Sequence, residues 1–152
     1  MLIRPATPAD FPLMRTLELQ SDGAAHWSER EYDALVAAQA LKRIALVAVE
    51  EGAPGIGGFV IARCGPYEWE IENVVVAGEH RRRGVGTGLV QEILHAAGEA
   101  GVGSVLLEVR QSNTAARQLY EKLGFRKSGE RAGYYREPTE DALLFRFPVA
   151  NL

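Results

Sequence analysis

The chain has a single cysteine, Cys64, in 152 residues. That excludes an internal disulfide framework and any multi-cysteine zinc site. Neither sign of charge dominates: 17 basic against 20 acidic residues leave a net charge of −3. No global field therefore draws the molecule to nucleic acid or to a membrane surface. No apolar run approaches the roughly 18 residues that span a bilayer. The opening Met1-Leu2-Ile3-Arg4-Pro5 lacks the apolar core of a signal peptide, and a cytoplasmic location is expected. His26, His80 and His95 show no metal-ligand spacing, so no metal is expected. Internal repeats, low-complexity segments and linkers are absent as well. Disorder is excluded by composition, because a chain that is 47% hydrophobic can offset the entropy of ordering. What remains is one domain over residues 1–152, burying about two-thirds of its unfolded surface.

Periodicity divides that domain into elements. Residues 2–6 read as a short edge strand ended by proline. Thr7-Pro8-Ala9-Asp10 reads as a helix start, with Thr7 as N-cap and Pro8 at the first helical position. The apolar face runs through Phe11, Met14 and Leu17 to about residue 20. Ser28 precedes Glu31 at the capping-box spacing and opens a second helix through Tyr32, Leu35 and Val36. Residues 44–49, 57–63 and 68–76 form three strands in a meander, the last apolar on both faces at its end. Val85, Leu89, Val90, Ile93, Leu94 and Ala97 then recur with helical period, and Gly101 closes that helix. Val105, Leu107 and Val109 alternate as in a strand. A short helix over 113–123 ends at Gly124, a favoured C-terminal glycine. Two final strands fit 125–135 and 141–149. The order β-α-α-β-β-β-α-β-α-β-β predicts a mixed α/β fold.

Two stretches carry chemistry. Arg81-Arg82-Arg83-Gly84-Val85-Gly86-Thr87-Gly88 stands between a strand and a helix. Alternate glycines let backbone N–H groups approach a bound group, and the helix start adds unpaired N–H groups and a positive dipole end. This is an anion cradle, distinct from a Walker loop and from Gly-x-Gly-x-x-Gly. About 20 residues on comes Glu108-Val109-Arg110-Gln111-Ser112-Asn113, then Ala116-Arg117-Gln118-Leu119-Tyr120 and Gly124-Phe125. Asn113 and Tyr120 share one face of the short helix.

Taken in order, Arg-x-x-Gly-x-Gly and Asn-x-x-Ala-x-x-Leu-Tyr-x-x-x-Gly-Phe resemble the acetyl-CoA-dependent GNAT acetyltransferase superfamily. The element order is similar to that fold along the whole chain, a single GNAT-like N-acetyltransferase domain with a mixed sheet. His26-Trp27-Ser28-Glu29, Glu108-Val109-Arg110, Arg131-Ala132-Gly133-Tyr134-Tyr135 and Glu140-Asp141-Ala142 resemble its RimI-type branch, which acetylates the N-terminal amine of a ribosomal protein. The resemblance implies that Val74, Val75 and Val76 present backbone groups to the pantetheine arm of acetyl-CoA. It implies that Arg81, Arg82, Arg83, Gly84, Val85, Gly86 and Thr87 hold the pyrophosphate. Arg81 stands where the family often has glutamine. Asn113 would bond the pantetheine, although asparagine is also a favoured N-cap. Tyr120 would be the general acid for the departing thiolate.

A neutral amine must attack the thioester. An α-amine, with a free pKa near 8, is already about one-tenth neutral at pH 7, whereas a lysine near 10.4 needs roughly 4.6 kcal/mol to reach that form. An N-terminal substrate therefore asks less of a base. Glu108 is the leading candidate, in a strand whose opposite face is apolar. Glu72, which shares a strand with Glu70, is the alternative. Trp27, Tyr134 and Tyr135 are candidates for an acceptor-peptide groove, since aromatics give much contact area at little entropic cost; His26 replaces the proline that often precedes that tryptophan in the branch.

The leading expectation is direct acetyl transfer to a protein or peptide N-terminus, ribosomal protein alanine foremost, with neither nucleic acid nor membrane as partner. A small amine or lysine acceptor is the second. A regulatory module that binds acyl-CoA without turnover is the third, disfavoured by Tyr120 and a plausible base. Monomer and homodimer stay equally open.

Overall fold

A computed structural model of the protein describes residues 1–21, 43–81, 83–136 and 139–151. The helix expected from Ser28 lies outside these residues, as do Trp27 and Arg82. Along the chain come β1 (Leu2–Pro5), a 3-10 turn (Pro8–Asp10), α1 (Phe11–Leu19), β2 (Arg43–Val49), β3 (Gly58–Cys64) and β4 (Glu68–Val76). A second 3-10 turn (Gly78–His80) precedes α2 (Val85–Ala100), β5 (Ser104–Arg110), α3 (Thr114–Leu123), β6 (Arg126–Tyr135) and β7 (Glu140–Pro148). Among the described residues this is the order that periodicity predicts.

Local chemistry explains the element ends. Thr7 is extended at φ −115°, with Pro8 beginning the turn into α1. The Asp10 carboxylate accepts from the Thr7 backbone N–H at 2.8 Å and from both Arg4 guanidinium nitrogens at 2.7 and 3.0 Å. Those bonds join β1 to the start of α1 and satisfy an N–H that would otherwise be orphaned. The arginine holds the Asp10 carboxyl below its ordinary value. Gly84, at φ +77°, turns the chain into α2 through a left-handed conformation that a Cβ disfavours.

Seven strands make one sheet in the order β1-β2-β3-β4-β5-β7-β6. β1 to β4 are antiparallel neighbours, β4 and β5 are parallel, and β7 returns antiparallel between β5 and β6. Helices cover both faces. On one, α2 and α3 pack Leu89, Val90, Ile93 and Tyr120 against Val60, Ile71, Val105, Leu107, Val109 and Phe145. On the other, α1 packs Met14 and Leu17 against Val47, Phe59, Ile61 and Val75. Val74 and Val76 pack toward α2 and α3 while Val75 packs toward α1. The apolar end of β4 is thus covered on both sides, as its composition predicts.

Two irregularities shape the second half of β4. The parallel ladder to β5 runs only from Glu68↔Ser104 to Ile71↔Leu107, so residues 72–76 have no partner on that edge. On the other edge, Ile61 pairs with Asn73 and Ala62 with Ile71, which leaves Glu72 as the extra residue of a β-bulge. A bulge bends its strand and raises local twist. Here it falls where β4 and β5 part.

Candidate active site

The divergence opens a cleft of about 660 Å³ between the free edge of β4, the start of α2 and one face of α3. Its walls bring together Val74, Val75, Val76, Arg81, Gly84, Val85, Gly86, Thr87, Asn113 and Tyr120, all named from sequence. A larger groove of about 1220 Å³ lies between α2 and the β6–β7 pair. It holds none of those residues, and the smaller cleft is the candidate site.

At the mouth, the start of α2 provides the anion cradle. The N–H groups of the first helical turn have no partner within the helix, and the dipole adds positive potential. A Cβ on Gly86 would stand 3.4 Å from both Leu119 Cδ2 and Val76 Cγ2, so glycine there keeps α2, α3 and β4 close. Arg81 lines the cleft and donates from Nε to the Val76 carbonyl at 3.4 Å. Arg83 is directed elsewhere: its guanidinium meets Glu50 at 3.4 Å, and the residue is not part of the cleft wall. This cradle fits a diphosphate, and the unpaired β4 edge behind it fits an extended chain bearing amide groups.

Deeper in, Asn113 caps α3, its Oδ1 accepting from the Ala116 N–H at 3.2 Å. Asn113 therefore both caps the helix and lines the cleft. Tyr120 sits in the last turn of α3, its ring edge-on to Phe125 at 5.7 Å. Gly124 ends the helix at φ +108° and lets Phe125 fold back, its N–H donating to the Tyr120 carbonyl at 3.0 Å. Burial pushes the Tyr120 phenol up to about 12. At neutral pH it is fully protonated, a donor rather than a base.

The candidate bases lie on the opposite face of the sheet. Val105, Leu107 and Val109 are buried toward α2 and α3, so Glu108 and Arg110 point to the α1 side. Register adds Arg131, aligned through Ala142 with Arg110, to that face. Glu72 accepts from Arg43 Nε at 2.8 Å and Nη2 at 3.3 Å. Glu70 accepts from Arg63 at 2.5 Å, and Glu140 from Arg110 at 3.0 Å and the Ser112 N–H at 3.1 Å. Glu108 differs. Its carboxylate meets Arg131 at 3.6 Å, too far for a hydrogen bond.

Tyr134 and Tyr135 end β6, and Tyr135 is near enough to feel the Glu108 charge. They stack edge-on at 5.3 Å, and Arg110 lies 4.1 Å from the Tyr135 ring centre. Burial first, and then the Glu108 charge, raise the Tyr135 phenol above its ordinary value. The Arg110–Glu140–Ser112 bonds tie this hairpin to the end of β5. Sequence reasoning missed a buried pair beside the bulge, in which Asn73 Nδ2 donates to Glu18 Oε2. The available signal was Glu18 falling four residues after Met14, on the apolar stripe of α1. Among the described residues no group of His, Cys, Asp and Glu is placed to hold a metal ion, and no helix is long and apolar enough to cross a membrane.

Comparison with known proteins agrees with this geometry. The Acetyltransferase (GNAT) family profile matches residues 12–125. The chain is 33% identical over 97 residues to the [Ribosomal protein bS18]-alanine N-acetyltransferase of Escherichia coli (strain K12), covering 62% of this chain and 66% of that protein. It is 37% identical over 103 residues to the N-alpha-acetyltransferase RimI of Mycobacterium tuberculosis, covering 66% of this chain and 63% of that one. The chain thus spans somewhat less than two-thirds of the length of these curated relatives. Among solved structures, the ribosomal-protein-S18-alanine N-acetyltransferase of Escherichia coli superposes with a TM-score of 0.84 at 27% identity, covering 97% of this chain and 93% of that one. With that profile matched over residues 12–125, the chain belongs to the GNAT acetyltransferase family.

Proposed function

We propose that this protein transfers acetyl from acetyl-CoA directly to the α-amine of a protein N-terminus, with ribosomal protein alanine the first acceptor to test. One observation carries the reading: the cleft with Tyr120 opens on one face of the sheet where β4 and β5 part, and Glu108, the first β5 residue beyond their ladder, stands on the other face. A thioester laid along the free β4 edge would meet an amine arriving from the α1 side.

Bound acetyl-CoA supplies an acetyl group activated as a thioester. The N–H groups of Val85, Gly86 and Thr87 would hold its pyrophosphate, and Asn113 with the β4 edge would hold the pantetheine arm. Glu108 takes a proton from the α-amine, directly or through one water. As the N–C bond forms and the C–S bond breaks, Tyr120 donates to the departing sulfur. A thiol of ordinary pKa near 8.5 lies roughly 3.5 units below the buried phenol, so complete transfer runs uphill by about 5 kcal/mol. Tyr120 therefore acts through a hydrogen bond that strengthens as charge reaches sulfur. Glu108 is favoured over Glu72 because Glu72 accepts two hydrogen bonds from Arg43, whereas Glu108 accepts none among the described residues.

The test is acetyl-CoA turnover, followed as free thiol, with peptides beginning Ala, Ser, Gly or Met, with α-blocked peptides bearing an internal lysine, and with polyamines. Turnover confined to free N-termini is expected. Turnover on lysine or polyamines alone would retain the cleft and discard the acceptor. Acetyl-CoA binding without turnover on any acceptor would favour a binding module.

A further inference from the structure

Strand β4 changes parity at its bulge. Before it, Trp69 and Ile71 face the layer of α2 and α3. Unbroken alternation would send Asn73 and Val75 to that same layer. Instead Val74 and Val76 pack there, and Val75 joins Met14 and Leu17 on the α1 side. The extra residue, Glu72, moves every later side chain to the opposite face. That shift sets the cleft wall, which Val74 and Val76 share with Tyr120 and the start of α2.

Beside the bulge, the layer between α1 and the sheet holds a carboxyl group and a carboxamide. Glu18 is 0% and Asn73 5% exposed, and Asn73 Nδ2 donates to Glu18 Oε2. Two apolar side chains of the same shapes would fill that space without burying polar groups. The hydrogen bond adds direction, because it forms only with Asn73 on the α1 face, which is the bulged register. In the straight register Asn73 would enter the apolar layer that holds Ile71 and Leu89, across the sheet from Glu18. The same turn of α1 borders the cleft: the Ser21 N–H donates to the Glu18 carbonyl at 3.1 Å, and Ser21 is part of the cleft wall. We propose that Glu18 is a positioning residue for acetyl transfer. Through Asn73 it locks the bulge, and with it the valine face and the unpaired β4 edge that the cofactor meets. The inference rests on acetyl-CoA lying along that edge and is independent of which amine accepts.

The experiment combines calorimetric titration of acetyl-CoA, thermal melting and thiol release on whichever acceptor the wild type turns over. Glu18→Met together with Asn73→Leu replaces both partners by apolar groups of similar shape, and should melt within a few degrees of the wild type. Its kcat should nonetheless fall about 10²-fold, the effect of ångström-scale misplacement, and acetyl-CoA should bind several-fold more weakly. Glu18→Gln keeps an acceptor for Asn73 and should keep most of both. Asn73→Ala removes only the donor and should lose kcat in the same direction. Full kcat and affinity in the double variant and in Asn73→Ala overturn the inference. So does activity lost only in step with melting temperature, or a Glu18→Gln variant as impaired as the double one. A wild type that does not bind acetyl-CoA overturns the cleft itself, and this inference with it.

Discussion

Tyr120 shows how a single side chain is tuned by where its helix ends. Gly124 stops α3 one turn after the tyrosine, and Phe125 folds back against its ring. The resulting burial raises the phenol to about 12, keeping the proton in place throughout the working pH range. Tyr120→Phe should lower kcat by about 10²-fold or more while the KM for acetyl-CoA stays within about twofold, measured by steady-state thiol release; equal kcat values would remove the hydroxyl from the mechanism. Glu108→Gln removes the proton acceptor, so only amine that is already neutral reacts. The acid limb of the pH–rate profile should then move up toward the free α-amine pKa near 8. If Glu72→Gln produces that movement and Glu108→Gln does not, the base is Glu72. Gly86→Val places bulk against Leu119 and Val76 and should weaken acetyl-CoA binding at least about tenfold, or 1.4 kcal/mol, by calorimetric titration.

At the scale of elements, β4 decides the site. Its bulge at Glu72 and its parting from β5 after Ile71 cannot be read from the Glu68–Val76 pattern, because side-chain alternation reports burial and not which backbone groups are paired. In β5 the alternation did place Glu108 opposite the buried row of Val105, Leu107 and Val109, and so on the α1-side face. The α1 entry is another element-scale feature, and its Thr7-Pro8 start was legible. The Arg4–Asp10 bond was not, since it depends on β1 lying beside the turn. Because the folded Asp10 carboxyl is held below its ordinary value near 3.8, its contribution is complete above that value and lost as pH falls through the lowered one. Asp10→Asn should cost about 1 kcal/mol at neutral pH, with the two melting temperatures converging as pH falls through the lowered value.

For the molecule as a whole, the sheet separates two tasks. Helices α2 and α3 build the cleft on one face, while the other carries the glutamates, arginines and tyrosines. On the proposed reading the two substrates take opposite faces, so transfer should proceed through a ternary complex. Initial velocities with acetyl-CoA and peptide both varied should give intersecting double-reciprocal lines. Parallel lines would point to an acyl-enzyme and displace direct attack.

The sequence by itself determined the described elements, their order and the glycine-rich turn that lines the cleft, because these rest on local rules: helical and strand periodicity, proline and glycine at element ends, and two motifs whose residues lie close in the chain. Tertiary structure alone decided the position of β7 between β5 and β6, the parting of β4 from β5, and the partner each glutamate takes. Those depend on residues far apart in sequence, such as Arg43 with Glu72 and Arg131 with Glu108. A carboxylate looks the same in any strand until the fold shows which arginine reaches it, and how closely.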